Sequence, residues 1–211
     1  MRIAPSILDA DFTNISAEIE SLKTADRIHL DIMDGHYVPN LSFGPLVLKN
    51  ADFPIPTEAH LMVERPENFF DMFIGLGVQG ITFHIENTGE KKALELLKTL
   101  KNHGIRTGIS IDGHTEPDAL SDEILRTADQ VLVMSVKAGK GGQSFMPEAA
   151  EKIKTLRNRG FEKEIEVDGG VDTEKINLLK NATCDICVVG SFLMKKSPTD
   201  RASIIQEMQN M

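Results

Sequence analysis

IHLDIMDGHYVPN, residues 28–40, places a histidine and an aspartate two positions apart in an otherwise apolar run, then passes into Asp34, Gly35 and His36. Strand side chains alternate between faces, so His29 and Asp31 leave the same side. A charge without a partner is costly to bury. The pair is therefore either a hydrogen-bonded structural unit or part of a metal or catalytic site, and the surrounding segments have to decide which.

Outward from this stretch, short apolar runs alternate with longer amphipathic ones. Strands are expected at RIAPSI (2–7), RIHLDI (27–32), TEAHLM (57–62), GITFHI (80–85), RTGISI (106–111), QVLVMS (130–135), EIEVDG (164–169) and DICVVG (185–190). Helices are expected at FTNISAEIESLK (12–23), FGPLVLKN (43–50), PENFFDMFIGLG (66–77), EKKALELLKTLKNHG (90–104), DALSDEILRTA (118–128), PEAAEKIKTLRNRG (147–160), TEKINLLKN (173–181) and TDRASIIQEMQ (199–209). Strand–helix repetition implies parallel strands with right-handed crossovers, and eight units predict a single-domain α/β (β/α)8 TIM barrel over residues 1–211. An open doubly wound sheet would expect a GxGxxG turn after the first strand, where this chain has SILDADFTN. The chain is shorter than the roughly 250 residues usual for the barrel, so its helices and lower loops must be compact.

Composition excludes other classes. A formal charge of -9 argues against general attraction to nucleic acid or an anionic membrane, and no segment approaches a membrane span. The opening MRIAPSIL reads as the start of the fold, not as a signal peptide. Cys184 and Cys187 form a CxxC spacing but read as packed thiols of a strand. A reduced, cytoplasmic protein is expected.

Barrels of this kind carry their chemistry at the C-terminal strand ends. Ser6 ends the first strand, His29 and Asp31 the second, His60 and Met62 the third, His84 the fourth, Met134 the sixth and Asp168 the seventh. His60 or Met134 alone would be core; the shared register changes the reading. Two histidines and two aspartates converging on one mouth suit one divalent metal per chain, Zn2+ foremost, with Fe2+ or Mn2+ as alternatives. Asp31 and Asp168 could also face each other across a flat substrate, one removing a proton and the other returning one. Met33, Met62 and Met134 would line that substrate with soft apolar surface. Parity sets Arg27, Glu58 and Glu166 on the same inner faces as His29, His60 and Asp168, predicting a charged layer beneath the metal in which Arg27 pairs with Glu58 or Glu166. Three glycine-rich turns, SVKAGKGGQSF (135–145), DGGV (168–171) and VGSF (189–192), follow strands six, seven and eight, with SFLMKK (191–196) as a short helix. Together they predict a phosphate cradle of backbone N–H groups.

PSIL, HLDIMDGHYVPN, AHLM, MSV…GGQSF and EVDGG closely resemble the ribulose-phosphate 3-epimerase family, across essentially the whole chain. The resemblance implies metal binding by His29, Asp31, His60 and Asp168, with Asp31 and Asp168 as the acid–base pair. It sets Ser6, His60 and the three methionines beside a phosphorylated ketose, and Gly142, Gly170, Gly190 and Ser191 around its phosphate. The implied reaction is C3 epimerisation of D-ribulose 5-phosphate to D-xylulose 5-phosphate through a cis-enediolate, in a homo-oligomer of the pentose phosphate pathway. Asp34, Gly35 and His36 are expected to shape a loop, His84 to hydrogen-bond near the site, and His103 and His114 to lie on the surface. Phe69, Phe70 and Phe73 are expected to pack in the core.

The chain also departs from the family pattern. Asp112-Gly113-His114 stands where an asparagine–proline pair is common, and SVKAGKGGQSF where SVNPGFGGQSF is common. Ala138 in place of proline and Gly113 are expected to loosen these loops, and Lys137 and Lys140 either to strengthen anion binding or to face solvent. These changes keep a D-allulose 6-phosphate 3-epimerase as the alternative. A non-catalytic sugar-phosphate-binding protein is disfavoured by the intact ligand set.

Overall fold

The computed structural model describes residues 1–211. Its strands are β1 (Arg2–Pro5), β2 (Ile28–Met33), β3 (Thr57–Met62), β4 (Gly80–His84), β5 (Arg106–Ile111), β6 (Gln130–Met134), β7 (Glu164–Asp168) and β8 (Ile186–Val189). All pairings are parallel, in the order β1-β8-β7-β6-β5-β4-β3-β2. The remaining seam, between β1 and β2, is held by a bridge from Ser6 to His29, and Ile7 N–H donates to the His29 carbonyl at 3.3 Å. The eight strands form the expected barrel, nearly closed, with its thinnest seam beside the His29 strand.

The period of two explains how the core divides. Leu30, Ile32, Leu61, Ile81, Phe83, Val131, Val133, Ile165 and Val167 point outward and pack against the helices as one continuous core. Their alternates point inward, where the apolar residues form two small clusters, one containing Met33, Met62, Leu132 and Met134 and the other Ala4, Ile186 and Val188. The interior is tight enough that a Cβ on Gly108 would sit 1.9 Å from Thr82 Oγ1, so only glycine fits that inward position.

The helices are α1 (Ile15–Glu20), α2 (Pro45–Leu48), α3 (Phe70–Leu76), α4 (Ile85–Asn102), α5 (Asp122–Thr127), α6 (Glu148–Asn158), α7 (Thr173–Asn181), α8 (Ser191–Met194) and α9 (Pro198–Asn210). Asp172 caps α7 by accepting from the Glu174 and Lys175 N–H groups, and Ser121 caps α5. The first helix is shorter than expected, because a 3-10 turn over Phe12–Asn14 precedes it. The α4 helix starts five residues before the expected Glu90, directly from the end of β4, with one break at Gly89 (φ 67°, ψ 168°). That early start places Glu86 at the mouth of the barrel. Phe70 and Phe73 are buried as expected, and Phe69 packs against the same core. Cys184 and Cys187 are free and buried. No helix is long and apolar enough to cross a membrane.

Candidate active site

His29 and Asp31 on β2, His60 on β3 and Asp168 at the end of β7 bring two ring nitrogens and two carboxylate oxygens within 4.8 Å of one another. His60 Nδ1 lies 3.3 Å from His29 Nε2, 3.2 Å from Asp31 Oδ1 and 3.6 Å from Asp168 Oδ2. His29 Nε2 lies 3.4 Å from Asp31 Oδ1 and 3.9 Å from Asp168 Oδ2. Three of these four side chains are also held from their far side. The Ser6 hydroxyl donates to Asp31 Oδ2 at 2.5 Å, His29 Nδ1 faces Glu58 Oε1 at 3.0 Å, and His60 Nε2 faces His84 Nε2 at 2.9 Å.

Electrostatics separates the two carboxyls. Burial works against the Asp31 anion, but His29 and His60 outweigh it and hold this carboxyl well below its usual range. Burial and the neighbouring charge of Asp31 push Asp168 upward. Burial also opposes charge on the histidines; Asp31 overcomes it at His29, and Asp168 with Asp31 overcome it at His60. All the ion pairs of Asp31 and Asp168 are with these two histidines, and none is with a lysine or arginine. Two imidazole and two carboxylate donors this close together, without a fixed cation, could hold a divalent metal ion.

Beneath them lies the charged layer expected from parity. Arg27 meets Glu58 at 2.9 Å, Glu164 at 2.7 Å and Glu166 at 3.3 Å. Arg106 adds contacts to Glu58 (2.8 Å) and to Glu164, and Gln130 donates to Glu166. Sequence reading missed Arg106 and Glu164; the same parity rule, applied to β5 from Ser110 back and to β7 from Glu166 back, would have found them. Burial weighs against the Glu58 anion, yet Arg27 and His29 bring it down to about 2, whereas burial and Glu58 push Glu166 up to about 8.

Ser6, Asp31, Met33, Met62, Met134, Asp168, Gly142, Gly170, Gly190 and Ser191 line one pocket. His29 and His60 are absent from its lining, being fully buried behind the carboxylates. Gly170 has φ +62°, and a Cβ there would meet Gln143 O and Phe145 N at 2.8 Å, so this turn requires glycine. Gly190 is open by comparison, its nearest neighbour being Ser6 Cβ at 3.6 Å. Lys140 lines the pocket, whereas Lys137 is exposed outside it.

The structure corrects the expectation that loops five and six are loose. Ala138 has the N–H that a proline lacks, and it donates to Asp112 Oδ1 at 3.2 Å. Asp112 N–H donates in turn to Glu86 Oε1 at 2.6 Å. The buried Lys152 ammonium donates to the carbonyls of Gly113 (2.7 Å) and Thr115 (2.8 Å), and Gln143 ties the Lys137 and Lys140 carbonyls at 2.7 Å each. Asp34 shapes its loop as expected, accepting from the His36, Tyr37 and Glu64 N–H groups, and His103 and His114 are exposed.

The model of the Ribulose-phosphate 3 epimerase family matches residues 2–194. The chain is 42% identical over 217 residues to the ribulose-phosphate 3-epimerase of Helicobacter pylori (strain ATCC 700392 / 26695), covering 100% of this chain and 98% of the relative. It is 36% identical to that of Escherichia coli (strain K12), covering 99% and 94%. A cytoplasmic isoform from Oryza sativa subsp. japonica shares 38%, covering 91% and 86%. Among solved structures, a 3-hexulose-6-phosphate synthase superposes with a TM-score of 0.73 at 15% identity, covering 100% of this chain and 99% of that one, a likeness of fold.

Proposed function

This chain belongs to the ribulose-phosphate 3-epimerase family, and from that premise we propose that it interconverts D-ribulose 5-phosphate and D-xylulose 5-phosphate with one divalent metal ion bound by His29, Asp31, His60 and Asp168. The observation that carries the reading is the convergence of those four donor atoms within 4.8 Å at the C-terminal strand ends. The donor set suits Zn2+ foremost, with Fe2+ or Mn2+ as alternatives. When bound, the ion supplies Lewis-acid stabilisation of the negative charge that develops on the C2 and C3 oxygens.

The chain's own residues do the rest. Asp31 and Asp168 exchange protons with C3 from opposite faces of a planar enediolate, and Ser6 holds Asp31 in place through its hydroxyl. The opposite tendencies of the two carboxyls, Asp31 downward and Asp168 upward, match a pair in which one accepts a proton while the other can donate one. Met33, Met62 and Met134 exclude water from the intermediate. Gly142, Gly170, Gly190 and Ser191 receive the phosphate, mainly on backbone N–H groups. A cytoplasmic location and a homo-oligomeric state belong to the same proposal.

Elemental analysis together with coupled epimerase assays tests this reading: about one metal ion per chain is expected, lost in His29→Ala or His60→Ala along with turnover. A metal-free protein of full activity would refute it. Lys140 in the pocket lining and the Asp112 loop favour one further comparison, against D-allulose 6-phosphate. The pentose phosphate should be preferred in kcat/KM by roughly tenfold to several hundredfold, as pocket differences of about 1–3 kcal/mol produce. A reversed ratio would assign the hexose phosphate and leave the metal chemistry standing.

A further inference from the structure

We propose that His84 and Glu86 form a positioning relay that selects the ring nitrogen His60 presents to the metal site, so that metal affinity depends on two residues outside the ligand set. The inference rests on His29, Asp31, His60 and Asp168 being the ligands. A neutral imidazole has one donor nitrogen and one acceptor nitrogen, and the partner on one side decides the other.

The chain of partners starts at the rim. Glu86 Oε1 accepts the backbone N–H of Asp112 at 2.6 Å, and Oε2 lies 3.2 Å from His84 Nδ1 and 3.4 Å from the Tyr37 hydroxyl. A carboxylate accepts only, so His84 must carry its proton on Nδ1. The other His84 nitrogen is then a bare acceptor 2.9 Å from His60 Nε2. His60 must therefore bring its proton to Nε2, which leaves Nδ1 to face Asp31 and Asp168 at 3.2 and 3.6 Å. The ring geometry agrees, since the two imidazole centroids are 5.0 Å apart with planes only 21° from parallel. At that separation a 2.9 Å contact between ring nitrogens is an end-to-end arrangement. Both rings are 0% exposed, so water is no substitute partner for either nitrogen.

The alternative proton arrangement fails at the rim. With its proton on Nε2, His84 would set a lone pair against the Glu86 carboxylate. His29 supplies an internal comparison, because its outer nitrogen meets a carboxylate directly, Glu58 at 3.0 Å. Both imidazole ligands are thus backed by a glutamate, one by contact and one through an intervening histidine. Glu86 also receives the β5–α5 loop through Asp112, which links the rim to the ligand.

The test is Zn2+ affinity by chelator competition on the zinc-loaded protein, with His60→Ala as the reference for ligand loss. His84→Leu should weaken affinity by about 10–100-fold, the usual cost of losing an outer partner of a metal-bound histidine. His84→Gln, whose amide oxygen can accept from His60 Nε2, should recover part of that loss. Glu86→Ala, at the accessible end, should weaken affinity by a smaller factor and keeps the proposal testable if His84→Leu fails to fold. Long-range 1H–15N NMR of the parent should show the His60 proton on Nε2. Parent-like affinity in His84→Leu and Glu86→Ala, or a His60 proton on Nδ1, would overturn the relay while His60→Ala still lost zinc. Zinc retained by His60→Ala would instead overturn the ligand assignment, and the relay with it.

Discussion

The lower and upper layers of charge inside this barrel rest on the same strands but are balanced differently. In the lower layer Arg2, Arg27 and Arg106 meet Glu58, Glu164 and Glu166 at ion-pair distance. Arg27 is buried and Arg106 partly exposed, and three fixed guanidinium charges face three carboxyls, of which Glu166 is pushed upward by burial and by Glu58. The upper layer has Asp31 and Asp168 against two histidines and no permanent cation. A layer with its own fixed cations holds strands together; a layer whose positive charge rests only on titratable histidines can give up those protons and receive a metal cation. One face of one strand therefore serves both purposes: β2 contributes His29 and Asp31 above, with Arg27 just before it below.

If that division is right, the largest effects fall on turnover in the upper layer and on stability in the lower. Asp31→Asn and Asp168→Asn should each reduce kcat by about two to four powers of ten, with metal occupancy measured in each variant. Asp168→Asn should not lower the melting temperature of the chelated protein, because burial and Asp31 already oppose its charge. Loss of fold in that variant would erase the distinction between the layers.

Arg27→Leu should do the reverse. Removing one partner from a buried network leaves charges uncompensated, at about 3–5 kcal/mol of stability, read by urea denaturation. Catalytic loss from Arg27→Leu at unchanged stability would make the lower layer part of the chemistry.

A smaller effect is expected at the phosphate end. Gly190→Ala meets only Ser6 at an ordinary contact distance, so it should raise KM for the phosphorylated substrate while leaving the fold intact. Gly170→Ala is a poorer probe, because backbone fills its Cβ position. An unchanged KM in Gly190→Ala would move the phosphate elsewhere.

The smallest effect concerns pH at the rim. Burial opposes the Glu86 anion, but the hydrogen bonds from His84 and the Asp112 N–H outweigh it and lower the carboxyl from 4.5 to about 2. A depressed folded-state pKa contributes stability that is full above the unfolded value and is lost as pH falls through the folded one. The parent should therefore melt above Glu86→Gln at neutral pH, and the gap should close between about 4.5 and about 2. A gap independent of pH would mean that Glu86 acts through shape alone.

The barrel and the four candidate ligands were legible in the sequence because both are matters of period. Strand parity places His29 with Asp31 and with Arg27, and it needs no tertiary information. What parity cannot show is where a helix begins when the break is local: Gly89 hid the start of α4, and with it Glu86. Hydrogen bonds made by backbone groups were equally hidden. Ala138 reads as the loss of a rigid proline, whereas its N–H forms the tie to Asp112. Lys152 lies on the amphipathic α6, where nothing in the sequence marks it, and it is 4% exposed because loop carbonyls from residues 113 and 115 turn toward it.

The most direct test is NMR of the metal-loaded protein with D-ribulose 5-phosphate in deuterated water, following C3 deuterium uptake and product identity for the parent and Asp168→Asn. The parent should form D-xylulose 5-phosphate with deuterium at C3, and Asp168→Asn with metal retained should lose product formation by about two powers of ten or more. Product formed without deuterium at C3, or parent-like epimerisation by metal-loaded Asp168→Asn, would contradict the two-aspartate account.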